Sequence, residues 1–173
     1  ICFLWLILPF MNNIELKKTA KKLVSAFNKG TFIAPLSTKF TKNSKIANEL
    51  RKESEKLIAS PVIGFKAGGT GKAALKAWGE KEPFYASIFK KNLLKSNGSV
   101  KINKYTLGIE LEVFFQIKKS FFNTDKKITE KNISSVISHV GPCIEIVGYR
   151  QKKKGVTCLG DLVSDFGANV KFL

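Results

Sequence analysis

The chain has 173 residues, a formal charge of +17 and 44% hydrophobic content, which fits one domain with a sizeable core and excludes a disordered segment. The excess charge is almost wholly lysine, with Arg51 and Arg150 the only arginines, and much of it is dispersed in pairs such as Lys17-Lys18, Lys90-Lys91 and Lys126-Lys127. This describes a solvated, solubilising surface better than a nucleic-acid face built on arginine forks. Cys2, Cys143 and Cys158 lack CxxC spacing, so neither a disulfide framework nor a zinc site is indicated, and a reducing cytoplasm fits best.

The apolar opening, Ile1 to Phe10, is too short to span a bilayer and has neither a basic stretch before it nor a small-residue cleavage site after it. Because Met11 is the only methionine, residues 1–10 read as an upstream extension, with a truncated signal peptide or anchor as the rival. A helical region, 11–60, follows. Leu16, Ala20, Leu23, Val24 and Phe27 recur at helical spacing before Gly30, predicting a helix over 13–29. Ile46, Leu50, Leu57 and Ile58 mark a second over 44–59.

The remainder, 61–173, carries most of the strand signals. Val62 to Phe65 form a short strand running into Lys66 and a glycine-rich turn, then a helix through Trp78. Gly68-Gly69-Thr70-Gly71-Lys72 is followed by Ala73, so it fails the phosphate-loop pattern. Lys66, beside glycines that let a ligand approach the backbone, is either a ligand-facing lysine or one snorkelling to the surface. Pro83 to Phe89 read as turn plus strand, and Asn97-Gly98 predicts a hairpin before Val100–Tyr105.

Leu107, Ile109, Leu111, Val113, Phe115 and Ile117 alternate with a period of two, predicting a strand with that face in a core. Glu110 and Glu112 share its other face, with backbones about 7 Å apart at the rise of a strand. Carboxylates so placed repel unless water screens them, a cation sits between them or one takes a proton. Thr129 as N-cap, with Ile128 against Ile133, predicts a helix ending near His139, the sole histidine, read as a helix C-terminal residue rather than a base. In the strand-like run Val140 to Val147, Glu145 sits between isoleucines, where a solvated charge is disfavoured.

Five segments in order then carry a resemblance: Gly64-Phe65-Lys66-Ala67-Gly68, Pro83-Phe84-Tyr85, Glu110-Leu111-Glu112, Ile144-Glu145-Ile146-Val147 with Arg150, and Asp161-Leu162-Val163-Ser164-Asp165. Together they are similar to the 2-keto-4-pentenoate hydratase and 2-oxo-3-hexenedioate decarboxylase branch of the fumarylacetoacetate hydrolase family, and Phe32 to Leu36 resembles that branch's N-terminal segment. The resemblance implies an α+β fold, N-terminal helices followed by a mixed, mostly β roll or barrel. It implies Mg²⁺ or Mn²⁺ held by Glu110, Glu112 and Glu145, an all-oxygen site suited to a hard ion. Lys66 matches the family's active-site lysine, with Gly68 and Asp165 at the substrate.

The implied activity is hydration of a 2-hydroxy-2,4-dienoate to a 4-hydroxy-2-oxo acid, with decarboxylation of a 2-oxo-3-enedioate as the alternative and a basic nucleic-acid-binding protein as the reading from another class. The implied partner is a small 2-oxo acid, with neither nucleic acid nor membrane, and the full-length protein is expected to be a homo-oligomer. The chain departs from the family's pattern at Phe84-Tyr85-Ala86, at Ala67-Gly68-Gly69 and at Asp165-Phe166-Gly167-Ala168. It also stops at Leu173, where the family's β domain continues, so an incomplete barrel is expected.

Overall fold

The computed structural model describes residues 4–123 and 127–173, with side chains for 13–121 and 127–173. The expected upstream extension, residues 1–10, therefore lies partly outside the described residues. Helix α1, Leu4–Lys29, buries Ala20, Leu23, Val24 and Ala26, the stripe expected of an amphipathic helix. It starts earlier than predicted and stops where predicted: Gly30 takes a left-handed φ of 64°, letting Thr31 N–H donate to the Ala26 carbonyl at 3.1 Å. Among the described residues no helix is long and apolar enough to cross a membrane.

After a single turn, α2 (Thr38–Thr41), comes α3 (Ser44–Lys56), whose first turn is capped by the Asn43 side chain accepting from the Lys45 and Ile46 amides. Leu50 packs with Ala20 and Phe40, while Leu23 and Val24 pack with Ile58, Phe89 and Phe166. The core thus lies between the helices and the second half of the chain. Glu55 ties the two halves together by accepting from Ser87 N–H and Oγ, both at 3.0 Å, while pairing with buried Arg51.

Strands β1 (Val62–Gly68) and β2 (Phe84–Phe89) form an antiparallel pair, with α4 (Lys72–Trp78) between them in sequence. Strands β3 (Thr106–Ile117), β4 (Ile137–Gly148) and β5 (Asn169–Phe172) form a second antiparallel sheet in the order β3-β4-β5. A short turn, α5 (Ile133–Val136), precedes β4, and α6 (Leu159–Ser164) precedes β5. Gly160 in α6 lies against α2 so closely that a Cβ there would sit 1.7 Å from the Thr41 carbonyl oxygen. This mixed α+β arrangement matches the predicted fold class.

Three expectations are corrected. The helix predicted from Thr129 is only the α5 turn, which starts after Asn132 with no side-chain cap, and His139 lies in β4 opposite Gln116. Lys118 N–H donates to the Val136 carbonyl, so strand pairing outcompetes helix propensity there. At Asn97-Gly98 a turn forms, with Asn97 at φ 67°, but no hairpin follows. Leu93 instead bridges to Phe172 and the Leu94 amide donates to the Phe172 carbonyl. Finally, the apolar face of β3 is not covered: Ile109, Leu111, Val113 and Phe115 are 57–85% exposed. On the other face Lys66 of β1 reaches Glu145, and Glu145, Val147 and Phe172 are buried, while Glu110 stays exposed.

Candidate functional site

Alternation along β3 turns Glu110 and Glu112 to one face, and the β3-β4 register sets Glu145 directly opposite Glu110 and Cys143 opposite Glu112. One oxygen from each of Glu110, Glu112 and Glu145 can be chosen such that all lie within 4.8 Å of one another. Burial is graded across the trio, with Glu145 fully buried, Glu112 half-buried and Glu110 exposed. The cluster therefore has a dry floor and an open rim.

Lys66 arrives at the floor from the other sheet. Its Nζ donates to both Glu145 oxygens at 2.7 Å and to the Gly167 carbonyl at 3.2 Å. Its side chain is only 8% exposed, which removes the snorkelling alternative. The backbone that presents the Gly167 carbonyl is unusual, because Phe166, Gly167 and Ala168 all have φ between 54° and 67°. Two of these are not glycine, so the segment stores local strain at the site. At Gly167 itself a Cβ would sit 3.0 Å from Ala86 Cβ and 3.2 Å from Lys66 Cδ, leaving no room for a side chain beside the lysine.

Asn169, the first residue of β5, donates from Nδ2 to Glu145 Oε1 at 3.2 Å and accepts from Asn92 Nδ2 at 3.2 Å. Burial pushes the Glu145 carboxyl above its usual range and Glu110 adds to the push, while Lys66 and Asn169 oppose it. Burial, together with Glu112 and Glu145, likewise raises the Cys143 thiol. Three carboxylates thus meet one ammonium, a surplus of negative charge at a partly desolvated point.

Of the residues singled out by sequence, Lys66, Glu110, Glu112 and Glu145 converge. Gly68 stands apart, accepting the Phe84 ring, which would lie 2.4 Å from a Cβ at that position. The Asp165 carboxylate is fully buried and taken up by Arg150 N–H, the Arg150 guanidinium and Gln151 Nε2, at 2.8 to 3.1 Å. Sequence reasoning missed Asn169, Asn92 and Gly167. The only signal was an amide at the start of the short strand-like run Asn169-Val170-Lys171-Phe172, too weak to single out.

The donor set is all oxygen, which suits Mg²⁺ or Mn²⁺. Two oxygens on one such ion at about 2.1 Å lie about 3 to 4.2 Å apart. The observed spread of up to 4.8 Å is slightly wider than that, so it is the donor chemistry, three carboxylates with no nitrogen or sulfur ligand, that fits the ion. No family model and no curated protein sequence matches the chain. Its fold resembles two solved structures of 4-oxalocrotonate decarboxylase from Pseudomonas putida G7, one complexed with magnesium and adipate, the other with calcium and acetate. Both have a TM-score of 0.66 and 15% identity over 92% of this chain. The chain spans 62% and 61% of their respective lengths.

Proposed function

We propose that the chain carries the site of a divalent-cation-dependent lyase acting on a small 2-oxo acid. The observation that supports this best is the trio Glu110, Glu112 and Glu145, their oxygens within 4.8 Å, with Lys66 on Glu145. The three glutamates would hold Mg²⁺ or Mn²⁺. When bound, the ion supplies electrostatic stabilisation of an enolate at the 2-oxo group. Lys66 adds positive charge beside the substrate's oxygens and passes a proton at Nζ. Asn169 fixes the Glu145 carboxylate, and Asp165 acts indirectly by holding Arg150 and Gln151 in place. The exposed rim at Glu110 is where a small anion enters, and the buried floor keeps bulk water from screening the charge.

The reaction we assign is addition of water to a 2-hydroxy-2,4-dienoate, giving a 4-hydroxy-2-oxo acid. Decarboxylation of a 2-oxo-3-enedioate is the second reading, favoured by the likeness to 4-oxalocrotonate decarboxylase. Both use the same enolate stabilisation, and a second carboxylate on the substrate divides them. The test follows the ultraviolet absorbance of 2-hydroxypenta-2,4-dienoate, with and without Mg²⁺, for the wild-type chain, Glu112→Gln and Lys66→Ala. Loss of absorbance that requires Mg²⁺ and drops at least about a hundredfold in both variants supports the assignment. Undiminished turnover in both removes it, and CO₂ release from 2-oxohex-3-enedioate in place of hydration selects the second reading.

A further inference from the structure

The position of Lys66 has a consequence for how the site is loaded. Its ammonium bridges both oxygens of Glu145 at equal 2.7 Å distances, so the most buried of the three carboxylates offers no oxygen free of a cation. Asn169 occupies a further acceptor direction on Oε1. A divalent ion sharing Glu145 with Glu110 and Glu112 has one remaining lone-pair direction, on Oε2, and meets the ammonium on the same carboxylate. Two cationic centres on one carboxylate repel strongly at low dielectric. Among the described residues Lys66 has one other hydrogen-bond partner, the Gly167 carbonyl at 3.2 Å, held in place by the strained Phe166–Ala168 backbone.

We propose that Lys66 is a resident counter-cation of this site, one that a divalent ion displaces from Glu145, so that the lysine's charge is released towards an incoming anion only after the metal is in place. This rests on the metal reading above and adds an order of events to it. Before loading, the lysine neutralises Glu145 and holds the two sheets together. After loading, the ion takes over that neutralisation and Nζ keeps the Gly167 carbonyl as its anchor. Binding of a 2-oxo acid to the lysine is thereby coupled to metal occupancy, the kind of linkage in which one ligand removes a competing contact for the next.

The experiment measures Mn²⁺ binding directly, from the loss of the free-ion electron paramagnetic resonance signal, for the wild-type chain and Lys66→Met. Removing the competing charge is expected to tighten Mn²⁺ binding by roughly tenfold or more. Equal or weaker binding by a folded Lys66→Met overturns the proposal. Because that variant leaves Glu145 buried without its partner and can fail to fold, a second measurement uses the wild-type chain. Acetylation of lysines by an N-hydroxysuccinimide ester, read by mass spectrometry, is expected to rise severalfold at Lys66 when Mn²⁺ saturates the site, with Lys17 and Lys18 unchanged. Lys66 acetylation that does not respond to saturating Mn²⁺ overturns the proposal. If neither protein binds Mn²⁺, the metal reading itself falls and takes this inference with it, whereas binding without the Lys66 response removes the inference alone.

Discussion

The Arg150–Asp165 and Lys66–Glu145 pairs are buried to the same degree, with side-chain exposures of 9% and 0% in the first and 8% and 1% in the second. They differ in what surrounds them. Asp165 accepts from the Arg150 amide, its guanidinium and Gln151, and the guanidinium stacks 5.2 and 5.3 Å from the Phe27 and Phe166 rings. One positive and one negative charge meet there in direct hydrogen-bonded contact, with Glu145, Lys91 and Lys171 acting on Arg150 only through longer-range electrostatics. At Lys66–Glu145 the same kind of pair is joined by Glu110 and Glu112, so the local sum stays negative. Burial alone therefore does not separate the two pairs; the uncompensated charge does.

The largest effect that separates the two is loss of a partner in the closed pair. Asp165→Ala leaves Arg150 buried and unpaired and is expected to lower stability by about 3–5 kcal/mol, measured by urea unfolding. Divalent ions are expected to leave that loss unchanged, since the Asp165 charge is already matched by the Arg150 guanidinium. Recovery in Mg²⁺ would break the comparison. At the open cluster, by contrast, Mg²⁺ at a hundred times its dissociation constant is expected to stabilise the wild-type chain by about 2.7 kcal/mol. Thermal melts across a Mg²⁺ titration check this, and Glu112→Gln is expected to flatten the response.

The contrast was only half legible in the sequence. Glu110 and Glu112 could be read because a strand's period of two places alternate residues on one face, and Glu145 because an acid between isoleucines in a strand needs a partner. That Lys66 is this partner depends on two sheets meeting across 79 positions of sequence, which local patterning does not encode. The expectation about the apolar face failed for a related reason. Alternation separates the two faces of β3, but whether either is covered is decided by the path of the chain, and here the apolar face is left open. His139 misled because a short run with helix signals, Thr129 to Val136, gave way to pairing with Gln116 and Ile117. Asp165 alone reads as a substrate residue, and a buried aspartate looks the same in sequence whether its lone pairs are spare or taken up by a neighbour such as Arg150.

A third pair sharpens the comparison through pH. Burial alone would raise Asp161, but Lys153 and the Thr157 hydroxyl and amide outweigh it and hold the carboxyl below its usual range. A depressed folded pKa contributes stability that is present above the unfolded value, 3.8, and is lost as pH falls through the folded one. Asp161→Asn is thus expected to be less stable than wild type by about 1 kcal/mol at neutral pH, with the gap closing below about pH 4. Urea unfolding at several pH values measures it. A gap that stays constant into acid would mean that Asp161 acts through packing rather than charge.

The smallest effect is also the one with the most direct bearing on the open cluster, because its sign is opposite to that at Asp165. Without divalent ions Glu112 contributes repulsion towards Glu110 and Glu145, and Lys66 is already committed to Glu145. Neutralising it as Glu112→Gln keeps the shape and removes one like charge from a half-exposed position, where such terms are modest. The expected outcome in chelator is a gain of about 0.5 kcal/mol, against a loss for Asp165→Asn under the same conditions. Paired urea titrations of the two variants read both signs at once. If Glu112→Gln is destabilising in chelator, then Glu112 makes a favourable contact in the metal-free fold, the negative surplus is not real, and the distinction drawn between the two buried pairs fails at its premise.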